Sequence, residues 1–112
     1  MKRVLFIREE YNGFMGGMER IIFSLAKGLE KRGTISPLLA TTIKDSQLAT
    51  RFRELDYPVF DVRMERKGGI RATAREIEHI VKKHDINLLH TQILRERMIA
   101  CLVRKHPQRF VF

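Results

Sequence analysis

Apolar and polar positions along this chain switch between two periods. Val4-Leu5-Phe6-Ile7 is apolar at every position, the pattern of a strand buried on both faces of a parallel sheet. After a loop containing glycines, Ile21, Ile22, Leu25, Ala26 and Leu29 are spaced to form one face of a helix. Lys31-Arg32-Gly33 puts basic residues in the last turn and a glycine at the stop. Ile35 to Thr42 is apolar and β-branched enough for a second strand, with Pro37 near its beginning, where proline is tolerated. Ser46 can cap a short helix running to about Leu55. Tyr57-Pro58 then opens a third strand, Val59 to Val62, because the residue before proline prefers an extended backbone.

The same alternation continues. Lys67-Gly68-Gly69 breaks the chain before a third helix, in which Ile70, Ala74, Ile77, Ile80 and Val81 recur at helical spacing. Lys82-Lys83-His84 closes that helix favourably against its dipole. Asn87 to Thr91 is a short buried strand, and Leu94 to Lys105 is a helix with Pro107 just beyond it. Arg109-Phe110-Val111-Phe112 starts one more strand. Strands alternating with helices predict an α/β fold: a Rossmann-like, doubly wound parallel sheet in three α/β/α layers, as a single partial domain. By analogy with other doubly wound sheets the strand order is 3-2-1-4-5. A last strand with no helix behind it reads as a chain cut in mid-element, the first part of something longer.

Size and composition bound the rest. At 112 residues the chain makes one small domain, and 44% apolar with 31% charged residues reads as soluble and globular. Its longest apolar run, Met98 to Val103, is far short of the roughly 20 residues of a membrane span. Positive charge at Lys2 and Arg3 precedes an apolar stretch too short for a secretory signal, so a cytoplasmic site is expected. Cys101 is the single cysteine and its apolar neighbours suggest a buried thiol. Lysine and arginine exceed acidic residues to give a net charge of +9, which suits an anionic partner. The basic residues are scattered and no aromatics interleave with them, so nucleic acid is not expected, and weak attraction to an anionic membrane face is.

The segment Gly13 to Glu19 carries the strongest candidate chemistry. A glycine loop between a strand and a helix can hold a phosphate: the backbone approaches closely and the helix start supplies unpaired N–H groups. The alternative is a plain strand-to-helix turn that needs glycine for a positive φ, and the spacing is not that of the dinucleotide fingerprint.

Gly16-Gly17-Met18-Glu19, the helix ending Leu25-Ala26-Lys27-Gly28-Leu29-Glu30-Lys31-Arg32-Gly33, and the later Asp85-Ile86-Asn87-Leu88-Leu89-His90-Thr91 stand in that order. Together they resemble the N-terminal, acceptor-side Rossmann-like domain of retaining glycosyltransferases with the two-Rossmann-domain (GT-B) architecture. The resemblance runs over residues 1–112. It departs at Thr34-Ile35-Ser36-Pro37, where the family usually has a histidine and then a β-branched strand. It implies transfer of a sugar from a nucleotide-sugar to a glycan, lipid or small-molecule acceptor, as in polysaccharide or lipopolysaccharide biosynthesis, without a cofactor. The family's second domain, which holds most of the donor, has no counterpart in these residues, so the chain is expected to be inactive alone. The rival readings are a stand-alone phosphate- or nucleotide-binding module and a basic nucleic-acid-binding protein.

The resemblance places Gly16 and Gly17 against the donor phosphates and sugar. Glu19, in the first helical turn, is sufficiently explained by the dipole, with contact to the acceptor as the functional alternative. His90 ends a strand at the cleft edge and is either a contact for phosphate or hydroxyl or a hydrogen-bonded core residue. Arg95, Glu96 and Arg97 follow the His90 strand and could face the cleft, with Arg95 the candidate contact, or read as an exposed helix start. No second histidine or carboxylate sits at ligand spacing from His90, since His79, His84 and His106 fall on helical surfaces or ends, so no metal is expected.

Overall fold

The computed structural model describes residues 2–63, 69–92, 94–103 and 108–111, and leaves aside the side chains of 94, 95 and 108–111. In chain order the elements are β1 (Lys2–Arg8), α1 (Gly17–Lys31), β2 (Ile35–Thr41), α2 (Gln47–Glu54), β3 (Val59–Asp61), α3 (Gly69–His84), β4 (Leu88–Thr91), α4 (Leu94–Leu102) and β5 (Gln108–Val111). All five strands are parallel, in the order β3-β2-β1-β4-β5. The alternating pattern and its implied order are therefore met. The glycine break at Gly68 and the helix stop at Pro107 lie outside the described residues.

Strand β1 has its apolar run on both faces. Leu5 and Ile7 join Leu38, Ala40 and Leu89 under α3 and α4, packed by Ala74, Ile77, Val81, Ile99 and Ala100. Val4 and Phe6 join Leu39 under α1 and α2, packed by Ile22, Ala26, Leu48 and Phe52. Fully buried runs of this kind are what a two-faced parallel sheet demands. The thiol is a correction: Cys101 is exposed, because α4 turns Ile99 and Ala100 inward instead, with Val103 buried just beyond its end.

Proline sits deeper in β2 than its usual place. Pro37 is the third residue of the strand and pairs with Val4 of β1. It costs no ladder hydrogen bond. The Leu39 N–H points to the β3 side, where it donates to Pro58 O at 2.9 Å, so position 37 faces that side too. Strand β3 pairs only from Val59 opposite Leu39, and leaves that stretch of β2 as an edge.

Helix ends follow the expected signals at two places and depart at two others. Gly33 (φ 73°) ends α1, and Ser46 Oγ accepts the Ala49 N–H at 3.0 Å to cap α2. Helices α2 and α3 end instead on Asp56 (φ 61°) and Asp85 (φ 52°), in the left-handed region that short polar side chains tolerate.

Phe52 is fully buried, with ring centroids 6.2 Å from Phe6, 6.2 Å from Phe23 and 5.5 Å from Tyr57. Phe52→Ala should cost about 3–5 kcal/mol in urea denaturation, much of a small domain's typical stability of about 5–15 kcal/mol. A loss under about 1 kcal/mol would show that this aromatic cluster does not hold α2 to the sheet.

Candidate functional site

Strand order reverses between β1 and β4, since the chain builds outward through β2 and β3 on one side and through β5 on the other. In open α/β sheets ligands lie beyond the carboxyl ends of the strands at such a reversal, where the following loops diverge. The loops after β1 and β4 therefore frame the candidate site. Gly16 and Gly17 come from the first, and His90 lies at the end of β4, opposite Phe6 of β1. They share one edge of the sheet, as expected.

The loop after β1 is pinned to the start of α2 through Gln47. Gly13 is the glycine that needs its freedom, at φ 77°, and its carbonyl accepts the Gln47 N–H at 2.9 Å. The Met15 N–H in turn donates to Gln47 Oε1 at 2.7 Å. A positive φ is not what Gly16 and Gly17 supply. Gly16 is extended (φ −83°, ψ −173°) and Gly17 begins α1. A Cβ on Gly16 would come within 2.9 Å of Glu19 Oε1, whereas one on Gly17 would meet nothing within 4 Å. Gly16 thus makes room for a carboxylate, and Gly17 leaves an open surface.

That carboxylate belongs to a buried charge network. Arg8, the last residue of β1, donates from Nε to Glu19 Oε2 at 2.7 Å and lies 3.5 Å through Nη1 from Glu96 Oε2. Glu19 Oε1 accepts the Gly16 N–H at 3.2 Å. Glu96 accepts the Glu9 N–H at 2.7 Å and the Gln92 N–H at 2.8 Å. Arg8 and Glu19 are nearly buried and Glu96 is wholly so. Both glutamates occupy the third position of their helices, α1 and α4, where a carboxylate can reach back to the residues before the helix. One guanidinium therefore ties the starts of two helices and the loops before them into one unit.

A second carboxylate joins the loops after β1 and β2. Glu10 Oε2 accepts from Thr41 Oγ1 and, at 2.7 Å, from Ser46 Oγ. The Thr42 hydroxyl accepts the Glu10 N–H and donates to the Glu10 carbonyl, both at 2.9 Å. Glu9 Oε1 accepts from the Tyr11 hydroxyl at 3.2 Å.

His90 is half-buried, with its ring centroid 5.0 Å from that of Phe6. Burial pushes its pKa below the usual histidine value, which keeps the ring neutral. The Gln92 amide, oriented to satisfy its neighbours, donates to Ile7 O and Glu96 Oε1 at 3.0 Å each. Its oxygen accepts from His90 Nδ1 at 2.8 Å, placing the ring proton there. His90 is thus joined through Gln92 to the Glu96 network.

Of the residues singled out from sequence, Gly16, Gly17, Glu19 and His90 come together along one edge. The Arg95 side chain lies outside the described residues. Arg8, Glu9 and Glu10 carry no sequence signal of a site. The signal for Glu96 was present, as a glutamate three positions into a helix. Chemically the edge offers two kinds of contact. The first intrahelical bond of α1 runs from Arg20 N to Gly16 O, which leaves the N–H groups of Gly17, Met18 and Glu19 without helical partners and able to face an anion. On the other side the carboxylates of Glu10, Glu19 and Glu96 are buried and engaged by Arg8, backbone N–H groups and hydroxyls, and half-buried His90 can meet a ligand hydroxyl. Among the described residues no group of three or more histidine, cysteine or acidic side chains is placed to hold a metal ion.

No family model matches this chain, and no curated protein does. Solved structures do. A glycosyltransferase from Rickettsia africae superposes with a TM-score of 0.78 at 20% identity, over 96% of this chain and 28% of that one. MurG of Acinetobacter baumannii gives 0.68 at 12% identity, over 93% of this chain and 33% of its own. Alr3699/HepE of Anabaena, in complex with UDP-glucose, gives 0.67 at 16% identity, over 97% of this chain and 29% of its own. This chain therefore spans about a third or less of the length of each. Between 12% and 20% identity, what these proteins have in common with it is the fold. The chain is folded as a segment of these glycosyltransferases is, in the Rossmann-like α/β form that its sequence resembles.

Proposed function

We propose that this chain is the acceptor-side Rossmann-like half of a retaining sugar transferase, and that it works on a nucleotide-sugar together with a donor-binding half. The observation that carries the reading is the edge at the strand-order reversal. Open surface at Gly17 lies beside unpaired helix N–H groups there, on a fold shared with a protein crystallised with UDP-glucose. Gly16 and Gly17 would let the backbone approach the donor diphosphate and sugar. Because Glu19 already takes the Gly16 N–H, the donor would face Gly17 and Met18. Neutral, half-buried His90 would meet hydroxyl groups of the acceptor, with Arg95 as a further candidate contact. Catalysis in such an enzyme is mostly positioning and stabilisation of the departing diphosphate, and both need a second wall. The reading places the chain in the cytoplasm, at the inner face of the membrane, in glycan or glycolipid synthesis.

A phosphate held by backbone N–H groups on one open wall stays hydrated, so its net interaction is small. The isolated chain should bind nucleotide-sugars no better than about millimolar, near −4 kcal/mol, and should catalyse no transfer. Calorimetry against uridine, guanosine and adenosine diphosphate sugars, with a released-diphosphate assay, measures both. Micromolar binding would favour a self-sufficient nucleotide-binding module instead.

Attraction to anionic lipid should be weak and salt-sensitive, at most about 1 kcal/mol per well-placed basic residue. Sedimentation at low salt should show more chain on anionic than on neutral vesicles, and equal amounts would remove the membrane from the proposal.

Protonation of His90 gives a further check. Its pKa is lowered in the folded chain, so the unfolded chain takes up the proton first as pH falls. The stability contributed by the neutral ring is complete above about 6.5, the ordinary histidine value, and is lost progressively below it. Urea midpoints at pH 7.5 and 5.5 should therefore fall further for the native chain than for His90→Gln. Equal falls would mean that His90 is not held neutral.

A further inference from the structure

A groove of about 750 Å³ runs between α1 and α2, outside the edge described above. Its volume lies within the range of small-molecule sites, about 300–1,000 Å³. Met15, adjacent in the chain to Gly16, is among its lining residues, together with Phe23. The Phe23 ring is set by Lys27 and Arg51, each 5.9 Å from its centroid. Arg20 and Arg51 line the groove, as do Asp45 and Glu54. Thr50 and Gln47 add neutral polar groups, and Gln47 is itself anchored by its hydrogen bond from the Met15 N–H.

We infer that this groove is a subsite for a neutral oligosaccharide, lying beside the glycine loop. The charges select that class. The two arginines and two acids of the lining cancel, in a chain whose net charge is +9. A polyanion such as nucleic acid would meet Asp45 and Glu54 as repulsive groups, and would be better served elsewhere on the surface. A sugar has hydroxyls that both donate and accept, and C–H faces that are apolar. Carboxylates accept from such hydroxyls, guanidinium and amide groups donate to them, and Thr50 does both. Phe23 and Met15 offer the apolar contact. Among the described residues none of the four charged lining side chains forms an ion pair with another, so their hydrogen-bonding capacity is not consumed within the groove. All four are exposed, Arg20, Arg51 and Glu54 on the helices and Asp45 in the turn before α2, where a ligand can reach them.

This inference deepens the transferase reading and rests on it for the ligand's role: the oligosaccharide is the body of the acceptor, with its reacting end toward Gly16-Gly17. Sugar binding by the isolated chain is measured without any donor, so it can fail or succeed independently of the nucleotide-sugar experiments. The test is an amide-resolved NMR titration with maltotetraose, chitotetraose and laminaritetraose, with tetragalacturonate as the anionic comparison. The expected result is that at least one neutral tetrasaccharide shifts amides in Met15–Ser24 and Asp45–Glu54. The double variant Arg20→Ala/Glu54→Ala, which leaves net charge unchanged, should weaken that binding at least fivefold. Arg75→Ala on α3 should not. Dispersed spectra of the variants would confirm that they remain folded. The inference is overturned if no neutral sugar shifts these amides. It is also overturned if only tetragalacturonate binds and Arg75→Ala weakens it equally, which would be attraction to surface charge.

Discussion

Arg8 is the residue on which the organised edge of this fold depends. It ends the central strand at the place where strand order reverses, and the loops from β1 and β4 part on either side of it. Its guanidinium spans the gap, with Glu19 of α1 at 2.7 Å and Glu96 of α4 at 3.5 Å. Buried charges are costly to desolvate, and such a group is tolerated only when each member has partners. Here the carboxylates are completed by the N–H groups of Glu9, Gly16 and Gln92. Removing one partner from a buried pair typically costs about 3–5 kcal/mol, since the remaining charge is stranded. The network therefore fixes geometry, and an apolar replacement of similar volume could match it in stability without orienting the same N–H groups.

That arrangement has consequences for what the edge can recognise. Glycine-loop sites attract phosphate through free helix N–H groups, yet Glu19 already occupies the Gly16 N–H and adds negative charge beside the start of α1. Buried or nearly buried Glu9, Glu10, Glu19 and Glu96 all gather near the carboxyl ends of the strands; Glu19 and Glu96 meet the Arg8 guanidinium, whereas Glu10 meets the Thr41 and Ser46 hydroxyls. Satisfied within the fold, these carboxylates hold the loops in place, and the edge gives phosphate a narrow approach at Gly17.

Much of this fold was legible because parallel sheets impose simple patterns. Val4 to Ile7 must be apolar throughout if both faces are covered, and the stripe in α1 must recur at helical spacing. Gly33 and Ser46 announced their helix ends through local backbone chemistry. Asp56 and Asp85 did not, because aspartate in the left-handed region leaves no distinctive sequence mark. Pro37 could be placed within β2 only once β3 was known to begin pairing opposite Leu39. The site was harder to read. The glycine pair in the sequence gives no sign that a Cβ on Gly16 would crowd the Glu19 carboxylate. Arg8 and Glu96 are separated by 88 positions, and no local spacing could pair them. Cys101 misled because apolar neighbours in sequence point to different sides of a helix.

The central claim is that Arg8 joins the loops after β1 and β4 into one cooperative unit. Hydrogen exchange under native conditions, read at the amides of Glu9, Gly16 and Gln92, tests it most directly. The account predicts that the three exchange with a common opening free energy, and that Arg8→Gln accelerates all three by a similar factor while amides in the middle of β1 change less. Three unrelated rates, or acceleration at Gly16 alone, would contradict it and leave the two loops as independent elements.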